Sequence, residues 1–171
     1  GVAHPADDGV FAVDIETGKQ KLLVSFERLA EILMKTGHYE KIPHLFINHT
    51  LANRLNDRVF FFVRGGWDGN EGPKVNQPFV MQPDGSGLRA LKDHLGGHPE
   101  WDLSHRMIGH IDGKQVIYDV DREKIVGQMG NSDIFPNPEG DVAISPDATW
   151  FVNGFKNDEK TENHYVIYRR S

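Results

Sequence analysis

The chain has 171 residues, 38% hydrophobic and 26% charged, which is the composition of a folded globular protein rather than a disordered or fibrous one. It carries a formal charge of −6 and no apolar run near the roughly 18 residues that span a bilayer, so neither a nucleic-acid surface nor a membrane span is expected. Cysteine is absent, which excludes a disulfide framework and thiol catalysis, while nine histidines are the one compositional hint of a site.

In chain order, the first pattern is a hairpin. Phe11-Ala12-Val13-Asp14 and Lys21-Leu22-Leu23-Val24 flank the turn residues Glu16-Thr17-Gly18. A helical stretch follows over Glu27–Thr36, with Leu29, Ile32 and Leu33 at i, i+3, i+4 spacing, Ser25 as cap and Gly37 at its end. Strand patterns come next at Leu45–Ala52 and Val59–Val63, then a glycine-rich loop, Gly65 to Pro73, holding Trp67 and Asp68. A second hairpin runs Phe79–Gln82, turn Pro83–Gly87, Leu88–Leu91. Strands are expected again at His98–Leu103 and from Arg106 through Met107–Ile111, before a third hairpin with Val116–Asp119, turn Asp121–Glu123 and Lys124–Val126. The loop Asn131 to Gly140 carries Pro136 and Pro138, and the last patterns are Asp141–Ser145, Trp150–Val152 and His164–Tyr168.

These patterns repeat. His49, His98 and Asp141 occupy the same point of successive units, spaced 49 and 43 residues apart. Eight residues after each stand Asp57, Arg106 and Thr149, each followed by a strand-like run. Short strands recurring every roughly 40–50 residues are the pattern of β-propeller blades. The expected fold is therefore all-β, a propeller fragment of about three four-stranded antiparallel blades with one short helical insertion. Residues 9–25 supply two strands of one blade and 26–43 the helical insertion. Residues 44–92 and 97–130 are full blades, and 140–171 an incomplete one. The whole of 1–171 is read as part of a single propeller domain, with both ends expected to fall inside blades of a longer protein.

The inner strands of a propeller line its channel, which nominates His49, His98 and Asp141. Two imidazoles can transfer protons, and His98 with Asp141 can hold a divalent metal such as manganese or calcium. The same residues can equally satisfy backbone groups in the channel. Asn48 is a hydrogen-bonding neighbour, and Glu100, two residues beyond His98, is either a second carboxylate or a solvated rim charge. Trp67 can stack on a sugar face or anchor its loop. Arg64, at a strand end, can pair with the carboxylate of an acidic sugar or stay solvated. Lys74, Arg54 and Arg58 offer the same charge from weaker positions. Trp101 is expected to pack between blades. His98, His105 and His110 do not make a metal motif, because His105 falls in a turn. No phosphate loop, nucleophile elbow or metalloprotease helix is present.

Four stretches carry a family resemblance: Asn48-His49, Gln82-Pro83-Asp84-Gly85-Ser86-Gly87-Leu88-Arg89, His98-Pro99-Glu100-Trp101 and Ser145-Pro146-Asp147-Ala148-Thr149-Trp150. Through them nearly the whole chain resembles the oligogalacturonate lyase-like and TolB-like β-propellers of bacteria, a WD40-like architecture. The lyases of that group cleave polygalacturonate fragments by β-elimination, with a manganese ion held by His and Gln and an Arg as base. In this chain Gln77 or Pro78 stands where that Arg would be, and Asp141 where a metal-binding His would be. The remaining ligands are expected beyond Ser171. The resemblance thus implies a protein acting on, or binding, acidic oligosaccharides with a metal, in bacterial cytoplasm or periplasm. The alternative it offers is a non-catalytic TolB-like scaffold that docks a protein partner.

Overall fold

The computed structural model describes residues 2–67, 72–138, 142–157 and 159–170. They fold into two compact units, Gly1–Ala52 with Asn56–Leu91, and Asn53–Leu55 with Lys92–Ser171. Every paired strand is antiparallel, and one helix interrupts the series of sheets. This matches the expected β-rich character and the single helix.

The first unit opens with the hairpin β1 (Gly9–Val13) and β2 (Gln20–Ser25). Its turn closes locally. The Asp14 carboxylate accepts hydrogen bonds from the Glu16 and Thr17 amides and from the Thr17 hydroxyl, which holds its pKa below the usual carboxylate value. Helix α1 (Phe26–Lys35) starts where the Ser25 hydroxyl accepts the Arg28 amide at 3.1 Å. Leu29, Ala30 and Leu33 bury one stripe of it. Ser25→Ala is expected to cost about 1 kcal/mol, read as a lower urea midpoint and faster amide exchange in the first turn of α1.

A four-stranded meander completes this unit: β3 (Leu45–Ala52), β4 (Val59–Gly65), β5 (Val75–Met81) and the two-residue β6 (Arg89–Ala90). Alternation along β4 divides its side chains between two faces. Phe61 and Val63 join Val75, Phe79 and Met81 of β5 in a core with Val10, Val24, Leu29 and Leu33. Phe60, Phe62 and Arg64 lie on the opposite face. The β5–β6 turn is the predicted Asp84-Gly85-Ser86 segment. Gly85 has φ +89°, and a Cβ there would lie 2.8 Å from the Leu23 carbonyl oxygen, so this close approach to β2 requires glycine.

The second unit contains a four-stranded meander and a three-stranded one. The first has β7 (Gly96–Trp101), β8 (Arg106–Ile111), β9 (Lys114–Asp119) and β10 (Lys124–Gln128). The second has β11 (Val142–Ile144), β12 (Trp150–Lys156) and β13 (Asn163–Arg169), with β13 at its edge. Ile108, Met129, Phe135, Val142 and Phe151 form a core between these meanders, lined by Ile117, Val166 and Tyr168. The Asn153 amide donates to the Gln115 amide oxygen at 2.5 Å, both residues being buried.

Two polar clasps fasten the turns of this unit. Arg170 donates to both oxygens of the fully buried Asp102, at 2.6 and 3.0 Å, and Arg106 stands 3.6 Å from the same carboxylate. Arg54 donates to the carbonyls of Ile144, Ser145 and Pro146. In that Ser-Pro-Asp turn the Ser145 hydroxyl, with the Thr149 amide and hydroxyl, lowers the Asp147 carboxyl to about 2.

Candidate anion-binding site

The richest cluster of predicted residues lies in the first unit, at the end of β4. The run Val59–Gly65 alternates, so Arg64 follows Phe62 on the face away from the core. Register sets Asn48 of β3 opposite Phe62, and Asn76 of β5 opposite Arg64. Gly66 then turns the chain sharply. Its φ is +67°, and a Cβ would lie 2.5 Å from the Pro73 carbonyl oxygen, so the two limbs of the loop meet there. This brings Trp67 back to β5, where its indole N–H donates to the Val75 carbonyl at 3.1 Å. This bond ties the loop to β5, as in one of the two roles open to Trp67 from the sequence. Asp68, in the same loop, lies outside the described residues.

Two cations gather on this indole. The Lys74 ammonium lies 4.0 Å from the ring centroid and the Arg64 guanidinium 5.4 Å. Arg64 also lies 4.9 Å from the Phe62 ring. Its Nε donates to Asn76 Oδ1 at 2.9 Å. Neither cation has an ion-pair partner among the described residues, and neither terminal nitrogen of Arg64 has a hydrogen-bond partner there. Burial of the Arg64 guanidinium lowers its pKa, yet an arginine stays protonated at any physiological pH. The result is a half-buried positive charge beside a second one, on an aromatic platform, with no carboxylate partner among the described residues.

His49 and Asn48 border the same Phe62. The imidazole meets the phenyl ring edge-on, with centroids 5.9 Å apart. Asn48 Oδ1 is buried with no hydrogen-bond partner among the described residues. His49 sits in a bulge, where the β3–β4 register breaks between Asn48 and Leu51, and has φ +52°. His98 does the same in the second unit, where the β7–β8 register breaks between Gly96 and Glu100, with φ +48°. A left-handed non-glycine residue is uncommon, and two histidines adopt it at matching points of two sheets. The bulge also changes the expectation for Glu100. Alternation does not carry across it, so Glu100 is not placed on the His98 face by counting two residues. Its carboxylate accepts instead from the Trp101 amide at 2.7 Å.

The other nominated residues have separate fates. Asp141 lies outside the described residues. His98 is exposed, and no group of three or more His, Cys, Asp or Glu side chains that could hold a metal occurs among the described residues. Gln77 is buried and donates to the Leu91 carbonyl at 2.5 Å, which holds β5 to the chain after β6. Trp101 is buried as expected, whereas Trp150 is largely exposed. Arg54 is engaged on carbonyls, and Arg58 approaches Asp57 at 3.9 Å. The pair His105–Asp121, at 2.6 Å, joins the β7–β8 turn to the β9–β10 turn and had no signal in the sequence.

No family model matches the chain, and neither does any curated protein or solved structure. No helix among the described residues is long and apolar enough to cross a membrane.

Proposed function

We propose that the chain is part of a β-propeller that binds acidic oligosaccharides, with a sugar carboxylate received by Arg64 and Lys74 and the sugar face against Trp67. One observation carries this reading: two cations share one indole with no carboxylate partner among the described residues. Sugars offer an apolar face that stacks on aromatic rings, and a uronate adds the anion that Arg64 lacks. The propeller part is supported by the series of antiparallel sheets of two, four, four and three strands in chain order. It is supported also by the matching bulges at His49 and His98. In the catalytic version, β-elimination, His49, whose ring meets Phe62 edge-on, takes the proton-transfer role.

The test is titration calorimetry with trigalacturonate and with an uncharged trisaccharide. Wild type is expected to bind only the acidic sugar. Arg64→Gln, which keeps most of the side-chain length, is expected to weaken binding roughly 10- to 100-fold, the value of a hydrogen bond to a charged group. Equal binding of both sugars, or of neither, would sink the proposal. An absorbance assay for unsaturated uronate then separates a lyase from a binding protein.

A TolB-like docking scaffold is the second reading. It is favoured by exposed Trp150, Tyr165 and Ile167 on the last sheet. It predicts a protein partner whose capture survives Arg64→Gln and is lost when Tyr165 and Ile167 are both changed to Lys.

A further inference from the structure

We propose that Asn76 makes this site selective for a free carboxylate over its ester, by presenting only the terminal edge of Arg64 to the ligand; the inference rests on the acidic-saccharide reading above. A guanidinium has five N–H donors in one plane, and can meet a carboxylate side-on, through Nε and one terminal nitrogen, or end-on, through both terminal nitrogens. In this site the Nε donor is taken by Asn76 Oδ1 at 2.9 Å. Only the end-on edge is left, with two parallel N–H groups at the spacing of two carboxylate oxygens.

The rest of the geometry holds that edge in place. Phe62 and Trp67 lie 4.9 and 5.4 Å from the guanidinium carbon, and so limit how its plane can swing. Asn76 is itself fixed, because its backbone amide donates to the hydroxyl of the half-buried Tyr39 and its strand pairs with β4. The choice of an amide matters. A neutral Oδ1 anchors Nε without supplying a counter-charge, so among the described residues the partly desolvated cation is left for an anion of the ligand. An aspartate of the same shape would supply that anion internally and compete with the ligand. A methyl ester of the sugar loses the negative charge and one of the two acceptors, so it forfeits the bidentate contact that the free acid makes.

The experiment compares the affinities of trigalacturonate and its fully methyl-esterified form for wild type, Asn76→Asp and Asn76→Ala. Wild type is expected to favour the free acid by roughly 10- to 100-fold. Asn76→Asp is expected to bring that ratio close to one, chiefly through weaker binding of the acid. Asn76→Ala keeps the charge but removes the anchor that fixes the guanidinium plane, and is expected to lose part of the selectivity. A merely structural role for Asn76 would lower both affinities together and leave the ratio unchanged. Selectivity retained in both variants would therefore overturn the role of Asn76 while leaving the acidic-sugar reading intact. Failure of wild type to bind the free acid would overturn that reading, and this inference with it.

Discussion

Asp102→Ala is expected to destabilise the second unit by about 3–5 kcal/mol, the usual cost of removing one partner of a buried ion pair. Asp102 is 0% exposed and receives two hydrogen bonds from Arg170, whose side chain is 17% exposed. Deleting the carboxylate leaves that guanidinium largely out of water with only the Ala148 carbonyl to bond. The pair also ties Trp101 and Asp102, at the end of β7, to the residue that follows β13, a separation of 68 positions. The whole second unit should therefore respond, rather than one turn. Guanidinium melts followed by amide exchange are the measurement. A loss below about 1 kcal/mol, or lost protection confined to residues 102–106, would show that the bridge contributes no more than a surface pair.

Phe61→Ala is expected to cost the first unit a similar amount, about 3–5 kcal/mol, the range for truncating a fully buried phenylalanine. Phe61 is 0% exposed and stacks on its cross-strand partner Phe79, with centroids 5.7 Å apart and planes 15° from parallel. It belongs to the core that joins β1, β2 and α1 to the large sheet, so the cavity would open where these three elements meet. Phe61→Leu refills most of that volume and should recover more than half of the loss. Emission from Trp67, the tryptophan of this unit, reports the transition. An unchanged melt in Phe61→Ala would mean that α1 and the hairpin are not held by this core.

The readable part of the fold was the part decided by neighbouring residues. The Glu16-to-Gly18 and Pro83-to-Gly87 turns, the Ser25 cap and the Leu29, Ile32, Leu33 stripe each depend on side chains within a few positions, and each formed close to where the pattern put it, with Ile32 only partly buried. Many boundaries shifted by a residue or two, as for the helix Phe26–Lys35, but β5 begins four residues before Phe79 and β12 runs four past Val152. The candidate site was half legible. Arg64 and Trp67 stand out as a cation and an aromatic flanking a glycine-rich loop. Asn76 does not, because its role depends on which residue of β4 lies opposite, and register is a tertiary outcome. The available signal was a lone Asn in the apolar run Val75–Met81. The bulges at His49 and His98 were hidden for a related reason. Period-two counting assumes an unbroken pleat, and an extra residue inverts every later assignment of face. The link between Asp102 and Arg170 has no local trace at all.

The last strand has a practical consequence. β13 forms the margin of its sheet, and there Tyr165 is 74% and Ile167 72% exposed. The outward amides and carbonyls of β13 have no strand partner among the described residues, and they lie beside apolar side chains that reward a pairing. Such a margin is a template for aggregation through strand addition, and addition is a bimolecular event whose rate rises with concentration. A dilute preparation should stay folded and dispersed where a concentrated one seeds fibrils or precipitate. Lysine at Ile167 is the gatekeeper that would blunt this margin while leaving the core beneath it untouched.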